Sequence, residues 1–487
     1  MELAAPSHDR RWWALVAVSV AQLMVALDVT VINIALPRAQ VDLNFSAANR
    51  QWLITAYALA FGSLMFLGGR LSDLWGHRTT LVIGLVGFAA ASAAGGTAST
   101  FAELVSARAV QGVFGAVLAP AALAVVTVSF REPKERARAF VIFGVVGGSG
   151  AAVGLLLGGA LTQWASWRWC LSINVIFALL SLIGVALFVE GGRGERTFHL
   201  DLVGSVLASV GIFSLVFGLS RAVTTGWGNF DTWLSLAVGG VLLFFFVLWQ
   251  NHSQKPLLPL RIVTNRTRGG SLIALFVTPM GLFGVSLFLA YYLQNTLGYT
   301  PLKTGVLFLP LVGALAVSAS LASARLLDLV GPRPLVPVGM LLAMMGMILF
   351  TRLPAHADYL GHVLPGLVVT GLGLGLIYAP STASATAGIE ARDAGAASAL
   401  VNTAQQIGGS VGTALLNTIA VITTRRVSCQ NLPGHLTCRV NVTDATIHGY
   451  TVAFWWAAGF FGVGALVTFF LLESGVPEFE ADLVPLI

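Results

Sequence analysis

Apolar runs of about 20 residues recur from Trp12 to Leu472 with only short polar breaks between them, and that pattern leaves few ways to fold. A run of that length crosses the hydrocarbon of a bilayer as a helix, because only there does every backbone N–H and C=O find a partner within the segment. A soluble chain carries about 25% charged residues, whereas here the charged share is 10% and the mean hydropathy is +0.84. The net charge of +6 is dispersed over short loops. It therefore reads as membrane orientation and not as a nucleic-acid surface.

Counting runs of about 17 to 25 residues predicts spans near 12–36, 51–70, 80–98, 102–128, 139–162, 170–189, 201–221, 232–250, 270–294, 304–325, 335–351, 361–386, 396–424 and 450–472. The expected fold is an all-α polytopic membrane protein with 14 transmembrane helices. An even number places both termini on one side, and Lys and Arg concentrate in the loops of that side, which makes the termini cytoplasmic. The first run is too long for a signal-peptide core and stays in the mature chain.

Comparison of the loops shows a repeat. GRLSDLWGHRTTL, Gly69 to Leu81, matches ARLLDLVGPRPLV, Ala324 to Val336, with Arg70/Arg325, Leu71/Leu326, Asp73/Asp328, Leu74/Leu329, Gly76/Gly331 and Arg78/Arg333 all at one offset. Gly115, Ala119 and Pro120 echo Gly375, Ala379 and Pro380. Two pseudo-symmetric six-helix halves are implied, residues 1–189 and 269–487, with two extra helices inserted in 190–268. Parallel halves of this kind characterise transporters whose substrate site lies near the bilayer midplane.

Asp28 stands alone among apolar neighbours in the first run. A charge at the centre of a span costs about 2.5 to 3.5 kcal/mol on insertion scales, so an acid kept there handles an ion or a ligand unless it merely snorkels or pairs near a helix end. Arg108 is the basic residue well inside a span. At 1.5 Å per residue, Asp28 lies about 12 Å and Arg108 about 9 Å from the same outer surface, so the two can meet unless the arginine snorkels outward. Desolvation favours the neutral acid and a nearby guanidinium favours the carboxylate, which makes the pair a candidate proton carrier. Asn33, Gln111, Tyr291, Tyr292, Gln294 and Tyr378 add polar points for a substrate cavity or for bonds between helices. With one acid and one base inside, such a cavity suits lipophilic neutral or monovalent cationic compounds.

Gly150, Gly154 and Gly158, with Gly159, form a smooth face for close helix packing. In the repeated loop, Gly69 and Gly76 permit close approach and a tight turn, and Asp73, Arg78, Asp328 and Arg333 can pair with helix ends, giving either a cytoplasmic gate or plain connections. Cys429 and Cys438 share a polar loop and are a disulfide pair or two free thiols. The cysteine spacing fits no metal cluster, and Lys134, Lys255 and Lys303 lack the Gly-rich context of an ATP site. GGSVG at Gly408 to Gly412 lies in an apolar helix without the strand-turn-helix setting of a hydrolase, so the chain is not expected to be an enzyme.

LDVTVINIALP (Leu27 to Pro37), GGRLSDLWGHR, RAVQGVFGA from Arg108 and GAAVGLLLGG from Gly150 together resemble the major facilitator superfamily, in its fourteen-helix drug/proton antiporter branch. SWRW at Ser166 to Trp169 and the stretches from Tyr292 and Asp393 are similar to that branch as well. Leu155 departs from it, since exporters of the family usually carry a proline after the second glycine of the GAAVGLLLGG motif. The resemblance implies a monomeric, cofactor-free exporter of lipophilic drugs in the cytoplasmic membrane, driven by protons, with Arg108 beside the first helix and linked to proton transfer. A dedicated exporter of one metabolite or antibiotic, or a proton-coupled importer, is the alternative within transport.

Overall fold

The computed structural model describes residues 8–130, 132–190, 201–225, 228–253, 258, 260–355, 358–387, 389, 394–429 and 442–475. Among them there is no strand. The helices are α1 (His8–Asp42), α2 (Trp52–Trp75), α3 (His77–Gly96), α4 (Phe101–Ser129), α5 (Pro133–Trp164), α6 (Trp169–Phe188), α7 (Leu202–Thr225) and α8 (Phe230–His252). They continue as α9 (Leu260–Thr264), α10 (Arg266–Tyr291), α11 (Pro301–Leu321), α12 (Leu327–Val330), α13 (Pro332–Phe350), α14 (Leu364–Thr386), α15 (Ala394–Cys429) and α16 (Val442–Leu471). Twelve helices among the described residues are long and apolar enough to cross a membrane, and Trp52–Met65 and Val203–Leu219 form two shorter apolar stretches. By length and composition the count is therefore twelve where the apolar runs predict fourteen.

Local chemistry sets the boundaries. Thr100 and Glu103 close a reciprocal cap on α4: the Glu103 N–H donates to Thr100 Oγ1 at 3.2 Å and the Thr100 N–H donates to Glu103 Oε2 at 3.2 Å, satisfying two donors a helix start leaves free. The repeated loops turn alike. Gly76 (φ 85°) separates α2 from α3 and Gly331 (φ 72°) separates α12 from α13, a conformation that residues with a Cβ rarely adopt.

The chain packs as two compact units that interleave in sequence. In one (1–220, 234–242 and 289–309) α1 packs against α4, α5 and α6, while α4 also packs against α2 and α3, and α3 against α6. Contact here is backbone to backbone: a Cβ on Gly68 would lie 2.1 Å from the Ala116 carbonyl oxygen, and one on Gly112 would lie 2.3 Å from that of Tyr57. In the other unit (221–233, 243–288 and 310–487) α13 packs against α14 and α16, and α15 against α16. Its counterpart of the first unit's contact is a Cβ on Gly371, which would lie 2.3 Å from the Leu311 carbonyl oxygen.

Candidate functional site

Packing α1 between α4 and α6 brings Asp28 to a cluster of polar side chains in an otherwise apolar interior. Asp28 and Arg108 are each 1% exposed, and Arg108 Nη1 donates to Asp28 Oδ2 at 2.5 Å. That excludes the snorkelling arginine. The other carboxylate oxygen, Oδ1, accepts from Asn174 Nδ2 at 2.7 Å and from Gln111 Nε2 at 3.2 Å. Arg108 is fixed in turn: Nε donates to the Leu53 carbonyl at 3.1 Å, Nη1 to Gln111 Oε1 at 2.9 Å, and the guanidinium lies 4.5 Å from the centre of the Tyr57 ring. Gln111 Nε2 also donates to Ser92 Oγ at 2.7 Å. Five helices, α1, α2, α3, α4 and α6, thus meet in one bonded cluster around this carboxyl group.

Breaking such a buried pair from one side costs about 3–5 kcal/mol, because the surviving charge has no solvent. Ser92 and Asn174 are neutral residues inside apolar runs, and nothing in their spacing sets them apart from residues that bond between helices.

The glycines of α5 bring α1 close on either side of the acid. A Cβ on Gly150 would lie 2.7 Å from Ala26 Cβ, one on Gly154 1.9 Å from Thr30 Oγ1, and one on Gly158 3.1 Å from Val31 Cα. Gly159 faces elsewhere, toward Leu302 Cα at 2.7 Å. Gly154→Ala is expected to lower the melting temperature of the purified protein, since overpacking costs about 1–3 kcal/mol. Adding Thr30→Ala should recover only part of the loss, because the Leu27 carbonyl oxygen would still lie 3.0 Å from the new Cβ. Unchanged melting of the single variant would show that the two helices separate freely.

The remaining sequence candidates scatter. Asn33 is buried and donates to the Val29 carbonyl at 3.3 Å, while its own Oδ1 has no partner. Tyr291 donates to Gln40 Oε1 at 2.5 Å and lies under the Arg50 guanidinium, 4.5 Å from the ring centre. Gln294 donates to the Ile34 carbonyl at 3.1 Å. It also lines a cleft of about 490 Å³ at the Asp42 end of α1, together with Arg38, Asp42, Trp167, Arg168 and Tyr299. There Asp42 is held by Arg168 and by Trp167 Nε1, the latter at 3.0 Å. Tyr292 is buried. Tyr378 belongs to the other unit, packed on Leu272, Leu275, Ala385 and Val401.

In the repeated loop Arg78 Nη2 donates to the Ala186 carbonyl at 2.8 Å near the end of α6, and the Arg333 guanidinium lies 5.3 Å from the Phe469 ring centre. The side chains of Asp73 and Asp328 lie outside the described residues. Close approach falls on Gly68 and not on Gly69: a Cβ on Gly69 meets Pro120 Cβ at an ordinary 3.8 Å, because one residue turns the helix face by about 100°. Cys438 and the side chain of Cys429 are likewise outside the described residues.

A chain of many apolar helical spans, without strand among the described residues and with a buried acid–base cluster, is a multi-pass membrane transporter. It belongs to the Major Facilitator Superfamily, whose family model matches residues 18–413. The chain is 46% identical over 467 residues to the puromycin resistance protein pur8 of Streptomyces alboniger, covering 96% of this chain and 92% of that one. It is 37% identical over 410 residues to the cephamycin export protein CmcT of Amycolatopsis lactamdurans, covering 83% and 84%. The fold is similar to that of a bacterial homolog to the human lysosomal transporter Spinster, with a TM-score of 0.67 at 16% identity, covering 96% of this chain and 97% of that chain.

Proposed function

We propose that this transporter exports lipophilic neutral or monovalent cationic antibiotics in exchange for protons, with Asp28 as the proton carrier and Arg108 as its counter-charge. The reading is carried by one observation: a carboxyl group 1% exposed, bonded to a guanidinium equally buried and to two amides from different helices. Such a group can exchange its charge for a proton without leaving its site. Puromycin, a lipophilic monocation, is the first substrate to try, given the relative that confers resistance to it. The relative named for export of cephamycin favours a second reading, a transporter dedicated to a single antibiotic. With α2 and α7 included the chain makes fourteen crossings, α7 and α8 being the inserted pair, and it works as a monomer without a cofactor in the cytoplasmic membrane. Both termini are cytoplasmic, so the Asp42 end of α1 faces outward.

Proteoliposomes with an acidic lumen test this. Puromycin is expected to accumulate inside against its gradient, beyond the ion trapping of a weak base in protein-free vesicles, and that excess is expected to leak away when a protonophore collapses the pH difference. Accumulation indifferent to the protonophore would rule out proton coupling; no accumulation beyond protein-free vesicles for puromycin or for other lipophilic neutral or cationic antibiotics would remove the substrate class.

A further inference from the structure

We infer that Asn174 is a positioning residue that reverses its amide when Asp28 takes up a proton, so that the acid keeps a hydrogen bond in both of its states. This deepens the reading of Asp28 as the proton carrier and rests on it. The structure shows three donors on the carboxylate, and their surroundings differ. Arg108 has no acceptor to offer. Gln111 is committed on both sides of its amide, accepting from Arg108 at 2.9 Å and donating to Ser92 Oγ at 2.7 Å as well as to Asp28. Asn174 alone of the three donates to Asp28 with its Nδ2, at 2.7 Å, while its buried Oδ1 has no partner.

Once Asp28 Oδ1 carries a proton it becomes a donor, and a donor facing it would leave two N–H and O–H groups opposed in a dry interior. Rotation of the Asn174 amide by half a turn replaces N–H with the unused carbonyl oxygen, which accepts the new O–H. One bond is exchanged for another: N–H to carboxylate for O–H to amide. The amide nitrogen then stands where the oxygen was, so the number of unpaired groups does not change.

The other ionisable groups that face Asp28 from its neighbours are few. They are Arg108 on α4, with Tyr57 on α2 against the guanidinium, and Cys170 on α6; α3 contributes Ser92, and α5 presents glycines at this depth. Among the described residues, Tyr57, Cys170 and Ser92 make no hydrogen bond to Asp28 Oδ1, which is bonded by Asn174 and Gln111.

A bond from a neutral amide to a carboxylate is charge-assisted and about twice as strong as its neutral counterpart. Removing the amide therefore favours the protonated acid on balance. Asn174→Leu, which keeps the branching of the side chain but is bulkier, is expected to move the pH profile of gradient-driven flux by about one unit toward alkaline pH, since one unit corresponds to about 1.4 kcal/mol between the two states. Asn174→Ala, which removes the same groups without adding bulk, should move it likewise.

The spectroscopic signature is direct. With carbon-13-labelled asparagine, the side-chain carbonyl band that Asn174→Leu or Asn174→Ala deletes should fall in frequency at the pH where the Asp28 acid band appears in the parent. A carbonyl band that stays fixed through the titration, or a flux profile unmoved in both the Leu and the Ala variants, overturns the role of Asn174. A parent protein that shows no Asp28 acid band and no gradient-driven flux overturns the carrier assignment itself, and this inference with it.

Discussion

Asp28→Asn is expected to abolish uphill transport in proteoliposomes, down to the level of protein-free vesicles, while the protein still folds, enters the membrane and equilibrates substrate down its gradient. The substitution keeps the shape of the side chain and removes the carboxyl group proposed to carry the proton. Arg108 keeps its bonds to the Leu53 carbonyl and Gln111 Oε1 and its place over the Tyr57 ring, so the guanidinium is not left without partners. An amide oxygen at the position of Oδ2 can still accept from Nη1. The decisive comparison is between uphill and downhill flux at equal protein in the membrane. Uphill flux equal to the parent's would remove Asp28 from the coupling step and leave it as a structural acid.

Arg108→Ala is expected to fail more broadly. It leaves Asp28 with two amide donors and no counter-charge at 1% exposure, and the loss of one partner of a buried pair costs about 3–5 kcal/mol unless the acid stays protonated. Asp28 would then hold its proton through the cycle. Lower melting temperature together with loss of pH-driven flux is the expected pair of results. Arg108→Lys should restore part of the stability but little of the coupling, because an ammonium can reach Asp28 but cannot at the same time serve Leu53, Gln111 and the Tyr57 ring as a planar fork does. Full coupling in the lysine variant would show that charge alone matters and that the fork does not.

The meeting of Asp28 and Arg108 was legible because depth follows from counting along a helix, and both residues are costly enough in hydrocarbon to stand out. Counting gives height and not azimuth. That is why the sequence does not join Asn174, on a helix far along the chain, to Asp28, and why it points to Gly69 where the close approach falls on Gly68. Neutral amides carry too small an insertion cost to announce themselves, so Gln111 was seen only as one polar point among several, of which Tyr378 lies in the other unit. The repeated loop was legible for a different reason: a turn that needs positive φ admits glycine almost alone, and Gly76 and Gly331 preserve that need in both copies.

The distance along the chain between the members of the cluster bears on how the protein is made. Arg108 follows Asp28 by 80 residues and Asn174 follows it by 146, and ribosomes add about 5–20 residues per second. The first helix therefore waits in or beside the bilayer for about 4–16 seconds before its guanidinium is synthesised, and longer for its amide. During that interval the guanidinium and the amide that bond the carboxyl group in the folded protein are absent, and a bare carboxylate in hydrocarbon is costly. α1 is therefore expected to settle at its final depth only when α4 and α6 arrive with those partners.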